Sequence, residues 1–229
     1  MSREQVLAAV RRGLRRGPLP EATAAALRAR LGAHPRHLIP ARSRLPRPAQ
    51  VALFIANAER EFATVTRVAA AAAVPGAVAD YLAAQNLAPA LVRGPHPDLR
   101  ALPWSDRPLL QVREGRAEPD DKVGLQHGYA GIAETGTLML PSGPERPTTL
   151  NLLCETEIVV LRASRVVGAY EEAWDLLRAD RDGRLLPRSV MLVTGPSRSA
   201  DIESTLELGA HGPRRLHILL IDDDPAALI

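Results

Sequence analysis

The chain has 229 residues, 46% of them hydrophobic, a net charge of +3 and one cysteine. That length suits one domain with a helical extension and is enough to bury a core. The single thiol, Cys154, excludes an internal disulfide and a self-contained cysteine-rich metal or iron–sulfur site. With no long apolar run and no signal-like opening, neither a membrane span nor a secretory leader is expected, and the cytoplasm is the expected setting. Lys122 is the only lysine, so the positive charge is almost entirely arginine. Arg11, Arg12, Arg15 and Arg16 cluster at the front, and Arg36, Arg42, Arg44 and Arg47 follow. Aromatic residues are only 3% and no reading motif accompanies the arginines, so a solvated or protein-docking surface is expected rather than a nucleic-acid one.

Ser2 and Gln5 have the spacing of a capping box, and Val6, Leu7, Val10 and Leu14 recur at helical intervals, which predicts an amphipathic helix ending near Gly17. A second helix is expected from Pro20 to Leu31, stopped by Gly32. Between His34 and Pro48 proline and arginine dominate, so residues 1–48 read as a helical extension with a linker and 49–229 as the main domain. There a helix is expected over Gln50 to Phe62, a strand over Thr64 to Val68, a helix over Pro75 to Gln85, and strands at Ala90 to Val92 and Pro108 to Val112. This alternation predicts an α/β domain, helices flanking a mostly parallel sheet. Val123 to Leu125, Tyr129 to Ala133 and Thr137 to Leu140 are too closely set for helical crossovers, which predicts an antiparallel piece in the middle of the sheet. A short helix or extended lead-in is expected at Thr148 to Leu153, strands at Glu157 to Leu161 and Leu216 to Ile221, a helix at Tyr170 to Arg178, and another central strand at Ser189 to Thr194.

The chemistry-bearing stretch is Gly131-Ile-Ala-Glu-Thr-Gly-Thr-Leu-Met-Leu140. A glycine-hinged turn there would lift Glu134 to the end of the sheet, with the backbone N–H groups of Thr135, Gly136 and Thr137 facing the same cleft. The same residues also suit a plain hairpin turn, and both readings stay open. Thr194-Gly-Pro-Ser-Arg-Ser199 leads into a helix expected from Ser199, with Asp201 to Glu203 in its first turn. Gly195, Ser197, Arg198 and Ser199 would then form an anion cradle, the alternative being a capped helix start with an exposed arginine. His211 sits in a glycine-flanked loop before the last strand, and its role is open between ligand-facing and structural. His34, His37, His96 and His217 show no metal-ligand spacing, so no metal is expected. Cys154, beside Leu152 and Leu153, reads as an inert buried thiol.

Three motifs in order, Gly131 to Leu138, Thr194 to Glu203 and Leu208 to Pro213, resemble the LUD-domain family over roughly residues 50 to 221. Gln126-His-Gly-Tyr129 is bulkier than the stretch, often acidic, that usually precedes this turn in the family. The resemblance implies a three-layer α/β/α sandwich similar to the ribose-5-phosphate isomerase and CoA-transferase folds. It implies work alongside an iron–sulfur protein and a larger LUD-domain protein in oxidation of L-lactate to pyruvate, with the clusters in those partners and none bound by this chain alone. The second reading is a stand-alone transferase or isomerase acting on a small carboxylate or phosphorylated substrate, because Glu134-Thr135-Gly136 looks like the CoA-transferase arrangement that supplies a nucleophilic carboxylate.

Overall fold

The computed structural model describes residues 2–15, 17–182, 185–200 and 206–227. The chain divides into two compact units, Met1–Leu38 and Ile39–Ile229. The first holds α1 (Arg3–Gly13) and α2 (Glu21–Ala33). Ser2 Oγ accepts from the Gln5 amide and the Gln5 side chain accepts from the Ser2 amide, closing the expected capping box. Helix α1 stops at Gly13, a turn earlier than read from the sequence, and α2 runs past Gly32 to a left-handed cap at His34. Neither helix buries a residue.

The second unit begins before the linker ends. Residues 41–43 form a 3₁₀ turn with Ser43 buried and belong to this unit. Helix α3 (Arg47–Arg60) is anchored at its start by Arg47, which donates to Asp224 at 2.8 Å and to the Ala163 carbonyl at 2.9 Å. Six parallel strands follow the order β1-β12-β7-β4-β2-β3, where β1 is Thr64–Val68, β2 Ala90–Arg93, β3 Gln111–Glu114, β4 Val123–His127, β7 Thr156–Arg162 and β12 Arg215–Ile221.

Central strands β7 and β12 read as continuous apolar runs because both faces are covered. Ile158, Val160, Leu219 and Ile221 pack with Val74, Val78 and Leu82 of α4 (Val74–Ala84) and Leu99 of α5 (Pro97–Arg100). Val159, Leu161, Ile218 and Leu220 pack on the other side with Val51, Phe54 and Ala58 of α3. The domain is thus α/β with helices on both faces of a parallel sheet.

The antiparallel piece is present but not inside this sheet. Strands β5 (Ala130–Ile132), β6 (Thr137–Pro141), β8 (Val166–Val167) and β9 (Val190–Val193) form a separate four-stranded sheet, ordered β8-β5-β6-β9. It packs through Ala133, Leu138 and Leu140 onto the α3 side of the core, while Ile132 and Met139 meet Ala173 and Leu177 of α6 (Tyr170–Arg181). Only Val123–His127 of the three close-set strands joins the main sheet. The run at 190–193 is an edge strand beside β6, with Leu192 exposed, because four apolar residues in a row look alike at a sheet's edge and centre.

Candidate functional site

The expected helix from Ser199 is replaced by a strand where the chain is described. Arg198–Ala200 forms β10, paired antiparallel with β11 (Leu206–Leu208), and the Gly209 amide donates to the Ser197 carbonyl at 3.0 Å. These cross-strand bonds take the backbone groups that a helix start would have left open, so no helix amides form a cradle at Ser199. Asp201, Ile202 and Glu203 lie outside the described residues.

A cleft of about 280 Å³ nevertheless gathers most of the sequence candidates. Gly195, Ser197, Arg198, Ser199 and His211 line it, together with Asn151 of the 148–151 turn and with Glu157 and Leu216 near the amino ends of β7 and β12. Gly195 (φ +72°) holds the loop against the end of α3, where a Cβ would lie 2.0 Å from the Glu61 carbonyl oxygen. Arg198 is held by two neighbours at the end of α3. Its guanidinium meets Glu61 at 3.4 Å and lies 4.0 Å over the Phe62 ring. The loop amide of His211 donates to Ser197 Oγ at 3.3 Å, joining the two sides of the cleft.

Glu157 and Asn151 are cleft residues that sequence reasoning passed over. Gln126 Nε2 donates to Asn151 Oδ1 at 2.7 Å, and Asn151 Nδ2 donates to Glu157 Oε1 at 2.6 Å. Glu157 Oε2 is buried without a hydrogen-bond partner. Burial pushes the Glu157 carboxyl up to about 8, against the pull of the Asn151 bond, so burial favours its protonated form. A carboxylic acid held neutral there can donate a hydrogen bond. The sequence signal was a glutamate opening an otherwise unbroken apolar strand, where a charged side chain has no reason to sit.

The turn at 131–137 stands beside this cleft rather than in it. It closes the β5–β6 hairpin, and the Gly136 amide donates to the Ile132 carbonyl at 3.0 Å, so it is bound within the turn. Thr137 Oγ1 lies 2.7 Å from the hydroxyls of both Thr135 and Thr194, and 3.0 Å from the Tyr170 hydroxyl, tying the turn to the cleft wall at Thr194. Glu134 is outside the cleft lining, in a setting shared with Arg42, Ser43, Glu171 and Glu172. Burial, aided by Glu171 and Glu172 and opposed by Arg42 and Ser43, raises its carboxyl above the usual range. The structure therefore groups Gly195, Ser197, Arg198, Ser199 and His211, joins Thr135 and Thr137 to their border, and sets Glu134 apart.

A second polar cluster lies at the opposite, carboxyl ends of the strands. His96 follows β2, His127 ends β4, and their rings stack at 3.7 Å. Asp98 and Arg162, paired at 3.0 Å, complete the group. Nothing in the separation of 96 and 127 along the chain signals this meeting, which parallel strand pairing alone creates.

Sheet, flanking helices and end cleft define an open-sheet α/β protein with a ligand-sized polar cleft. More narrowly, the chain belongs to the LUD domain family, which matches residues 51–221. It is 42% identical over 102 residues to an uncharacterized protein of Neisseria meningitidis serogroup B, covering 44% of this chain and 43% of the relative. It is 34% identical over 102 residues to the Lactate utilization protein C of Bacillus subtilis, covering 44% of this chain and 42% of that protein. The matched segment thus spans less than half of these curated relatives. A crystal structure of a DUF162 family protein from Deinococcus radiodurans has the same fold, with a TM-score of 0.58 and 24% identity over 78% of this chain and 99% of that one.

Proposed function

We propose that this chain serves lactate utilization as an accessory component of a cytoplasmic, iron–sulfur-dependent system that oxidises L-lactate to pyruvate, and that its cleft holds a small carboxylate. The observation that carries this reading is one cleft with two chemistries. Arg198 and Ser197 offer a cation and a hydroxyl to a carboxylate, and the buried Glu157 carboxyl, which favours its protonated form, borders the same cleft. Relatives named Lactate utilization protein C support the substrate class. The single thiol, Cys154, is buried and pushed up to about 12, chiefly by burial, so cluster chemistry falls to an iron–sulfur partner and a larger LUD-domain partner. Among the described residues no helix is long and apolar enough to cross a membrane.

The decisive experiment reconstitutes lactate-dependent dye reduction from the native partners with and without this chain. The complete system should reduce dye, omission should abolish it, and the isolated chain should show no iron–sulfur absorption and no lactate oxidation. Robust oxidation by the isolated chain overturns the accessory reading.

The cleft has its own test. Arg198→Ala should weaken pyruvate or lactate binding by about 1.5–3 kcal/mol, the range for hydrogen bonds to charged groups. Stability should fall by about 1 kcal/mol or less, since only a part-exposed pair with Glu61 and a stack on Phe62 are lost. Arg198→Lys should restore only part of the affinity, because an ammonium lacks the planar fork. Calorimetry of both variants that shows unchanged affinity would remove Arg198 from the site.

A further inference from the structure

The second cluster is independent of the lactate reading. His96 lies in the loop between β2 and α5, Asp98 is the second residue of α5, and His127 ends β4. In open parallel sheets, ligands gather outside the carboxyl ends of the strands, and this cluster occupies that edge. One donor atom from each of the three residues lies within 4.8 Å of the others.

The stacked rings share an ordered arrangement. Each turns one nitrogen to Arg146: His96 Nε2 lies 2.9 Å and His127 Nδ1 3.1 Å from Arg146 Nη2. The other nitrogens differ: His127 Nε2 is 3.6 Å from the Asp98 carboxylate, whereas His96 Nδ1 accepts from the Asp98 backbone amide at 3.2 Å, a bond that a metal ion must displace to take that lone pair. Asp98 is fixed from behind by Arg162, which also reaches Asp223 at 3.5 Å. A pinhole of about 10 Å³ opens beside Asp98, His127 and Arg162, room for about one water-sized occupant.

We propose that His96, Asp98 and His127 form a binding site for a borderline divalent transition metal such as Zn²⁺ or Co²⁺, with Arg146 acting as a brake on its affinity. Two imidazoles and a carboxylate are a donor set that such ions take readily, leaving at least one position for water or a ligand. Neighbouring ligands of a tetrahedral ion stand about 3.5 Å apart with their lone pairs converging, so binding must unstack and turn the two rings as well as draw the donor atoms together. The His96–Glu145 distance of 3.9 Å places a further carboxylate nearby to balance the incoming charge.

Arg146 acts as the brake through both charge and tautomer. Its guanidinium is a donor with no acceptor, so His127 Nδ1 must carry the lone pair and Nε2 the proton. Metal binding at the Asp98 edge needs the reverse, with the lone pair on Nε2 and the proton on Nδ1 facing an acceptor. Glutamine at position 146 can supply that acceptor and removes the like charge.

The test is titration of the full-length, untagged chain with Co²⁺ and then Zn²⁺, read by Co²⁺ visible absorption and calorimetry. The background carries His34→Ala and His37→Ala to remove two exposed histidines. One equivalent should bind, with the spectrum of an imidazole-bearing site. His127→Ala and Asp98→Asn should weaken binding about tenfold or more, and Arg146→Gln should tighten it about tenfold or more by removing a nearby positive charge. Melting temperatures report whether each variant folds. Absence of binding in both the parent and Arg146→Gln overturns the site, as does one-equivalent binding that survives loss of His127, or no tightening on removal of Arg146.

Discussion

Gly136→Ala is expected to prevent the Ile39–Ile229 unit from folding, or to lower its stability by more than about 4 kcal/mol, because the new methyl has no space and no permitted backbone. Gly136 has φ +70°, a region disfavoured for residues with a Cβ. A Cβ there would lie 2.3 Å from the Ala58 amide nitrogen and 2.5 Å from the Asn57 carbonyl carbon, both backbone atoms of α3. The turn is locked to this helix, since Asn57 Nδ2 donates to the Ala133 carbonyl at 2.7 Å. Gly143→Ala is the control: nothing lies within 4 Å of its Cβ position, so its stability should change by roughly 0.5 kcal/mol or less. Urea unfolding of both variants checks the contrast. A folded Gly136→Ala protein of parental stability would show that the turn does not press on α3.

The second large effect concerns pH. Glu157 has a folded-state value near 8 against about 4.5 in the unfolded chain. Between those values the folded protein holds a proton that the unfolded chain has released, so stability falls as pH rises from about 4.5 to about 8. The slope is about 1.4 kcal/mol per pH unit for one proton. Below the window both states are protonated, and above it both are ionised, so this contribution is flat outside it. Glu157→Gln should remove this contribution, read as the difference between parent and variant, preserve the bond to Asn151, and leave the protein more stable than the parent at pH 8. Denaturation midpoints across pH 4–9 read this directly, and a slope that persists unchanged in Glu157→Gln would place the titrating group elsewhere. His217 produces the opposite trend over an overlapping window and offsets the Glu157 contribution between about pH 4.5 and 6.5. Burial pushes it down to about 4, so stability falls as pH drops from about 6.5 toward 4.

Much of this fold was legible because its signals are local. The Thr64–Val68 strand, the capping box at Ser2 and Gln5, and the apolar runs of β7 and β12 each rest on neighbouring residues, and each stands where the sequence placed it. What failed depended on partners distant in the chain. Whether 190–193 is central or at an edge is decided by β6, and whether Ser199 opens a helix or a strand is decided by pairing with 206–208. The cleft shows the same division. Gly195, Ser197, Arg198, Ser199 and His211 were recognisable by type and motif, and they do converge. Glu157 was hidden inside a strand whose apolar pattern dominated the reading, and His96 and His127 meet only because β2 and β4 lie side by side.

The order of strands in the main sheet also governs when the domain can assemble. The last strand, β12, lies between β1 and β7, so β1 has no hydrogen-bonded neighbour in the sheet until β12 is present. As the chain leaves the ribosome, β2, β3, β4 and β7 can associate early and α3 can pack on β6 and β7, while β1 waits for its only sheet neighbour. Closure demands a parallel pairing between segments far apart in sequence, the slow and aggregation-exposed kind. The interval between synthesis of β1 and arrival of β12 is therefore the period in which this strand edge is left unpaired.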